Sequence, residues 1–346
     1  MYRSTKISLI LASRKTFTVR RIWNYFIIRM SEFISHTIGK PVIWGYPIWT
    51  IMEPTNACNL HCPGCVTGGG IRDDKTGLMD FENYKKVINE IAPRGMGVLL
   101  YFRGEPLLNP KFVEMVRYAK SKNLIVRTGT NAHLIDSVEK AEELVKSGLD
   151  WIRIPLDGIT QETYTKYRKG GDIEKVKNAT KFLSEAKKQL KSRTPIILIQ
   201  FLVFKHNEHE IDIVRKLSYE LGADHFFLKT VQVLNDEQAK ELLPENPEYR
   251  RYAIAGNGKV VIKGGLKNRC IRLWTYYTVD IDGAVLPCCF DGTKKFIIGN
   301  AFEQPMHDIW KGEKLTDFRK KVLENRKSIP ICNNCTEGVP VYVKPE

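Results

Sequence analysis

The chain has 346 residues, more than one average domain's worth, and its 43% hydrophobic content is that of a globular protein with a real core rather than a disordered chain. Lysine and arginine exceed aspartate and glutamate by 54 to 39, giving a net charge of +15 and favouring an anionic partner: nucleic acid, a membrane surface or a phosphorylated substrate. The eight cysteines sit at ligand-like rather than disulfide spacings in a chain that reads as an intracellular enzyme, and the apolar run 7–12 lacks a signal-peptide cleavage site and is too short to span a bilayer.

Residues 1–43 form a basic extension. They carry Arg3, Lys6, Arg14, Lys15, Arg20, Arg21, Arg29 and Lys40 against a single acid, Glu32. Val19, Ile22, Trp23, Phe26, Ile27, Met30, Phe33 and Ile34 recur at helical spacing, with Arg20, Arg21 and Asn24 on the other side. The pattern predicts an amphipathic helix that either docks on the exterior of the next domain or lies in a membrane interface. Periodicity does not separate protein core from lipid.

From residue 49 to 230 strand and helix patterns alternate. Strands are predicted at 49–53, 98–102, 124–127, 151–156, 196–204 and 225–230, and helices at 80–92, 110–122, 136–146, from Asp172 onward, and at 211–220. Asp80 and Asp172 are the predicted N-caps. Six such βα units imply a parallel sheet, a partial (βα)6 barrel, with its chemistry at the C-terminal strand ends. Residues 231–255 read as a charged linker, and the expected domains are 1–43, 44–240 and 241–346.

Cys58, Cys62 and Cys65 follow the first strand in the run Cys-Asn-Leu-His-Cys-Pro-Gly-Cys. A four-iron cube normally takes four thiolates, so three in one tight loop leave one iron open to a small chelating molecule. Zinc, the competing reading, prefers a closed set of four ligands. The second strand ends in Arg103-Gly104-Glu105-Pro106, where a carboxylate suits an ammonium group. Thr130 and Asn131 end the third strand, Asp157 ends the fourth, and Arg168 follows.

These motifs resemble the radical S-adenosylmethionine (SAM) superfamily over about residues 47–230. The resemblance implies that Cys58, Cys62 and Cys65 hold a [4Fe–4S] cluster, and that Gly104, Glu105, Pro106, Thr130, Asn131 and Asp157 bind SAM. It implies reductive cleavage of SAM and hydrogen abstraction by a 5′-deoxyadenosyl radical, with the electron supplied by a flavodoxin, ferredoxin or reductase. Two positions depart from the family pattern. Arg103 replaces the first glycine of a Gly-Gly-Glu-like segment, and Gly64 stands where an aromatic residue often precedes the third cysteine.

The other five cysteines lie in the tail: Cys270, Cys288, Cys289, Cys332 and Cys335. Cys270, Cys288, Cys332 and Cys335 would close a four-thiolate site, for zinc or for an iron–sulfur cluster. Residues 256–338 resemble the twitch/SPASM domain, of the butirosin-pathway aminocyclitol dehydrogenase type, through Val285-Leu286-Pro287-Cys288, Gly299-Asn300, Asp308-Ile309-Trp310, Phe318-Arg319-Lys320 and Cys332-Asn333-Asn334-Cys335. The resemblance implies a small α+β domain with one auxiliary [4Fe–4S] cluster. In related enzymes an acid that takes the substrate's proton can follow the second of these cysteines; here Cys289 stands there, with Asp291 nearby. Cys289, Asp291 and Arg168 are therefore the catalytic candidates. The expected substrate is a sugar or aminocyclitol, a peptide or a lipid-linked molecule. No nucleic-acid-binding module is evident, and the expected location is cytoplasmic, with membrane contact through 1–43 as an option. The alternative function is a non-catalytic iron–sulfur protein that carries electrons or senses redox state.

Overall fold

A computed structural model describes residues 14–233, 235–256, 259–335 and 337. Six parallel strands run in chain order, β1 (Trp49–Met52), β2 (Gly97–Leu100), β3 (Ile125–Gly129), β4 (Trp151–Pro155), β5 (Ile196–Val203) and β6 (His225–Thr230). The helices that join and cover them bury apolar stripes on the sheet. Val98, Leu100, Val126, Ile152, Ile154, Ile197 and Ile199 face that core and are fully buried, as strands covered by crossover helices require. The register β1–β2 depends on a glycine: Trp49 lies opposite Gly97, where a Cβ would sit 2.3 Å from the Trp49 ring.

An N-terminal helix, α1 (Val19–Ile38), precedes this sheet. The connecting helices start where capping side chains stop the preceding loop. Asp80 caps α2 (Phe81–Ile91), and Asp172 caps α6 (Ile173–Gln189). Between them come α3 (Phe112–Ser121), α4 (Val138–Lys146) and α5 (Gln161–Tyr167), followed by α7 (Ile211–Glu220). The cap of α4 is Ser137, so that helix begins two residues later than the predicted start at 136. The short α5, capped by Thr160, carries too few residues to show periodicity.

Residues 231–255 are not an open linker. Val231, Val233, the helix α8 (Asp236–Leu242) and the hairpin β7 (Tyr252–Ile254)/β8 (Val260–Ile262) pack with Leu202 and Phe204 in a second, small core. The tail then adds α9 (Arg272–Thr275), β9 (Tyr276–Val279), β10 (Ala284–Leu286), β11 (Gly299–Asn300), α10 (Met306–Lys311) and α11 (Glu313–Asn325). Strand β9 pairs parallel with β1, so barrel and tail share one nine-stranded sheet, ordered β11-β10-β9-β1-β2-β3-β4-β5-β6.

Helix α1 docks on its polar face. Its buried residues are Arg21, Asn24, Ile28, Ser31, Glu32 and Ser35. The Arg21 guanidinium donates to the carbonyls of Ala92 (2.7 Å), Lys122 (2.8 Å), Asn123 (2.7 Å) and Thr16 (3.1 Å). Ala92, Lys122 and Asn123 close α2 and α3, where orphan carbonyls and the negative dipole end attract a cation. Asn24 bonds both ways with the Tyr46 backbone. The apolar stripe points outward, with Val19 85% and Trp23 65% exposed.

Candidate active site

The loop between β1 and α2 brings Cys58, Cys62 and Cys65 to one cavity of about 220 Å³, lined also by Gly104, Glu105, Thr130, Asn131 and Arg168. This set lies at the C-terminal ends of β1 to β4, the face where parallel α/β barrels carry their chemistry. Burial pushes the Cys58 thiol up to about 11 and raises Cys62 as well. Such thiols stay protonated in the bare site, and ligation to iron must release those protons. Arg168 comes within 3.7 Å of Cys62 Sγ and favours its thiolate.

Glu105 forms the floor. Its carboxylate accepts from Thr130 Oγ1 at 2.6 Å and from the Asn131 backbone N–H at 2.7 Å. Burial pushes it up to about 7, with those bonds opposing. Gly104 is required because a Cβ there would meet the Thr55 carbonyl at 2.0 Å. Pro106 opens the short turn that follows, capped by Glu105. Asp157 is turned to support: it accepts from Arg168 at 2.7 Å and from the Leu202 backbone at 2.7 Å. Arg168 thus stands beside the cysteine loop, held by Asp157.

The two departures from the family pattern have structural explanations. Arg103 is buried and bonds Glu53 of the barrel (2.8 Å) and Asp280 of the tail (2.7 Å). Glu53 also accepts the backbone N–H groups of Arg103 (2.7 Å) and Gly104 (2.8 Å), so this pair sets the turn that presents Glu105. Beside Gly64, an added Cβ would lie 3.0 Å from the Tyr167 hydroxyl. Tyr167 therefore supplies an aromatic ring from a distant stretch of sequence, and it is backed by Phe204 at 4.5 Å between centroids.

In the tail lie Cys270, Cys288, Cys332 and Cys335, the second set: burial raises the Cys270, Cys332 and Cys335 thiols, neighbouring cysteines add to the first two, and Cys288 is raised by its hydrogen bond with Cys289 and then by burial. Cys332 is pushed up to about 12 and Cys270 to about 11. The buried Arg326 holds the loop, donating to the carbonyls of Cys335 (3.2 Å) and Glu337 (2.9 Å). Among the described residues no three Cys, His, Asp or Glu side chains converge on a point tightly enough to share a single metal ion. A four-iron cube, bound through separate irons, does not need that convergence.

A cavity of about 1430 Å³ is lined by Cys65 of the first set and by Cys289, Arg272 and Glu337 of the tail. Cys289 shares a hydrogen bond with Cys288 and faces Arg272 at 3.8 Å, which together bring it down to about 7. Asp291 is elsewhere. Its carboxylate accepts from the backbones of Lys295 (2.9 Å) and Phe296 (2.8 Å), closes a turn, and does not line the cavity. The sequence reading missed Tyr167, Arg127, Arg153, Lys229 and Arg272, all of which line this cavity. The signal for Arg127, Arg153 and Lys229, charged residues within otherwise apolar strands, was present in β3, β4 and β6; Tyr167 and Arg272 lie on helices and carried none.

Comparison with known proteins agrees with this geometry. Residues 52–217 match the model of the radical SAM superfamily, and residues 270–336 match the SPASM iron–sulfur cluster-binding domain. The chain is 24% identical to a tungsten-containing aldehyde ferredoxin oxidoreductase cofactor-modifying protein of Pyrococcus furiosus, over 82% of this chain and 86% of that one. It is 26% identical to an AdoMet-dependent heme synthase of Methanosarcina barkeri, over 78% of this chain and 82% of that one. Among solved structures, SuiB of Streptococcus suis bound to S-adenosylmethionine superposes with a TM-score of 0.61 at 15% identity, covering 89% of this chain and 75% of that one. BtrN in complex with AdoMet and 2-DOIA gives 0.51 at 18% identity, covering 87% and 97%.

Proposed function

The chain belongs to the radical SAM superfamily and is an enzyme with a C-terminal SPASM iron–sulfur domain; from that premise we propose that it removes a hydrogen atom from an unactivated C–H bond of a substrate held in the 1430 Å³ cavity. The observation that carries this reading is the cavity itself, which is lined by Cys65 of one cysteine set and by Cys289 beside the other. In this reading Cys58, Cys62 and Cys65 hold the first [4Fe–4S] cluster. A cluster held there with SAM would supply the electron for reductive cleavage of the sulfonium, the source of a 5′-deoxyadenosyl radical. Glu105, held by Thr130 and Asn131, receives the ammonium group of SAM, and Arg168 its carboxylate. Asp157 is a positioning residue for Arg168. Cys270, Cys288, Cys332 and Cys335 would hold the auxiliary cluster, whose chemistry would be to take up an electron or to anchor the substrate. Cys289 faces the substrate and exchanges a proton or hydrogen atom with it; Asp291 serves the turn. The substrate is a small molecule, a peptide or a lipid-linked compound, and a small reductant protein such as flavodoxin or ferredoxin feeds the first cluster.

Iron analysis tests the cysteine assignments. The reconstituted protein is expected to hold about eight irons. Cys58→Ala and Cys270→Ala are each expected to remove about half of them, and an unchanged count would reject that ligand.

We also propose that α1 rests on an anionic membrane surface. Among the described residues no helix is long and apolar enough to cross a membrane, so the contact is interfacial. Its apolar stripe, Val19, Ile22, Trp23, Phe26, Met30 and Phe33, is exposed because the polar stripe is engaged by the barrel. Exposed Lys15, Arg20 and Lys40 complement acidic headgroups. Flotation with vesicles of phosphatidylcholine and phosphatidylglycerol is expected to carry the protein, and Trp23→Glu with Phe26→Glu to abolish this without loss of iron. Equal flotation of that variant, or dimerisation through this face in place of vesicle binding, would refute it.

A further inference from the structure

The inward faces of β3, β4 and β6 place three cations in one cavity, where the acidic lining residue Glu337 is already paired with Arg272 at 2.8 Å. Arg127, Arg153 and Lys229 all line the larger cavity, and Arg153 and Lys229 also border the smaller one beside Cys58 and Glu105. Among the described residues none of the three has a carboxylate ion-pair partner. Asp150, the nearest acid to influence Arg127, is already paired with Lys120 at 2.6 Å. The two guanidinium groups are held instead by aromatic rings. Arg127 lies 4.3 Å from the Trp49 centroid and 4.8 Å from that of Trp151, and Arg153 lies 5.5 Å from Tyr101 and 5.6 Å from Phe227. Stacking fixes the plane of each fork but uses none of its N–H groups. Accordingly, Nε of Arg127 and Nε of Arg153 are buried without a hydrogen-bond partner, and so is Oε1 of the buried Gln200, which borders the smaller cavity.

Half-buried guanidinium groups such as those of Arg127 and Arg153 are ordinarily paired, because a buried, unpartnered N–H forfeits hydration without compensation. Here they also oppose one another: burial, then Arg153, Arg251 and Arg168, bring the Lys229 ammonium down to about 8. A bound anion would relieve both penalties at once. The carboxylate of SAM does not account for the set, since Arg127 borders only the larger cavity.

We propose that Arg127, Arg153 and Lys229 form a recognition site for a multiply charged oxyanion on the substrate, either a phosphate ester or a pair of carboxylates. The stacked arginine forks present donors in fixed directions, and Lys229 adds a point charge. The site deepens the reading given above and rests on it, in that the same cavity takes the substrate.

The test is calorimetric titration of the cluster-reconstituted full chain, saturated with SAM, using inorganic pyrophosphate in one series and malonate in another. One equivalent of at least one probe is expected to bind. Its affinity is expected to fall tenfold or more in Arg127→Met, Arg153→Met and Lys229→Met, to be largely restored in Arg153→Lys, and to be unchanged in Lys320→Ala on the exposed side of α11. Tighter binding of pyrophosphate assigns a phosphate; tighter binding of malonate assigns carboxylates. Failure of both probes to bind, or binding that survives all three methionine variants with their thermal midpoints unchanged, overturns the site. Loss of SAM binding in those variants, with no anion bound by the parent protein, assigns the cations to SAM and overturns it equally. Formation of 5′-deoxyadenosine by the same samples separates the two readings. Cleavage without anion binding rejects the anion site alone, whereas anion binding without cleavage rejects the radical chemistry and leaves the anion site supported.

Discussion

At the scale of single residues, Glu105 gathers most of the site's electrostatics into one carboxyl group. Burial raises it to about 7, above the ordinary carboxylate value in an unfolded chain. Between those two values the folded protein holds a proton that the unfolded chain has lost. The contribution of Glu105 to stability is therefore greatest at low pH, falls as pH rises through the window from about 4.5 to about 7, and levels off above it. Urea unfolding of the cluster-free protein should show this slope, and Glu105→Gln should flatten it while weakening SAM binding tenfold or more. The cysteine octet and Gly104-Glu105 were legible in the sequence because their spacing is local. Tyr167, which fills the space beside Gly64, was not, because its contact crosses a hundred residues of chain. Asp291 was misjudged for the same reason: proximity to Cys289 in sequence does not show that its carboxylate is consumed by a turn.

At the scale of elements, strand and helix positions followed hydrophobic periodicity closely, down to α7 and β6. The orientation of α1 did not. Periodicity identifies two faces, and the usual assumption sends the apolar one inward. Here the partner surface presents helix-terminal carbonyls rather than apolar side chains, so Arg21 and Asn24 dock and the apolar residues face out. Arg21→Met should leave those carbonyls unpaired and destabilise the protein by roughly 3 kcal/mol, read from the denaturation midpoint. Arg20→Met, one residue away on the exposed side, should change it by less than about 0.5 kcal/mol. The reading of 231–255 as a linker failed because its apolar residues are few and scattered, and they form a core only with Leu202 and Phe204 supplied from β5 and the loop after it.

At the scale of the whole molecule, barrel and tail are one sheet rather than two tethered bodies, since β9 extends β1. Arg103, bridging Glu53 and Asp280 at the seam, ties the turn that presents Glu105 to the tail that carries the second cysteine set. Arg103→Ala leaves the buried Glu53 without its cation and Asp280 with Lys294 alone, and should cost about 3–5 kcal/mol. It should also lower iron at both clusters together, whereas Cys270→Ala should empty only one. That shared sheet could not be seen in the sequence, where β1 and β9 are more than two hundred residues apart. It explains how one cavity comes to be bounded by Cys65 of the first set and by Cys289, next to the second. The most direct measurement of the central claim is the fate of SAM: the reduced, reconstituted protein should convert it to 5′-deoxyadenosine and methionine, and Cys62→Ala should abolish this. Intact SAM after incubation with protein carrying its full iron complement, with and without the candidate substrates, would contradict it.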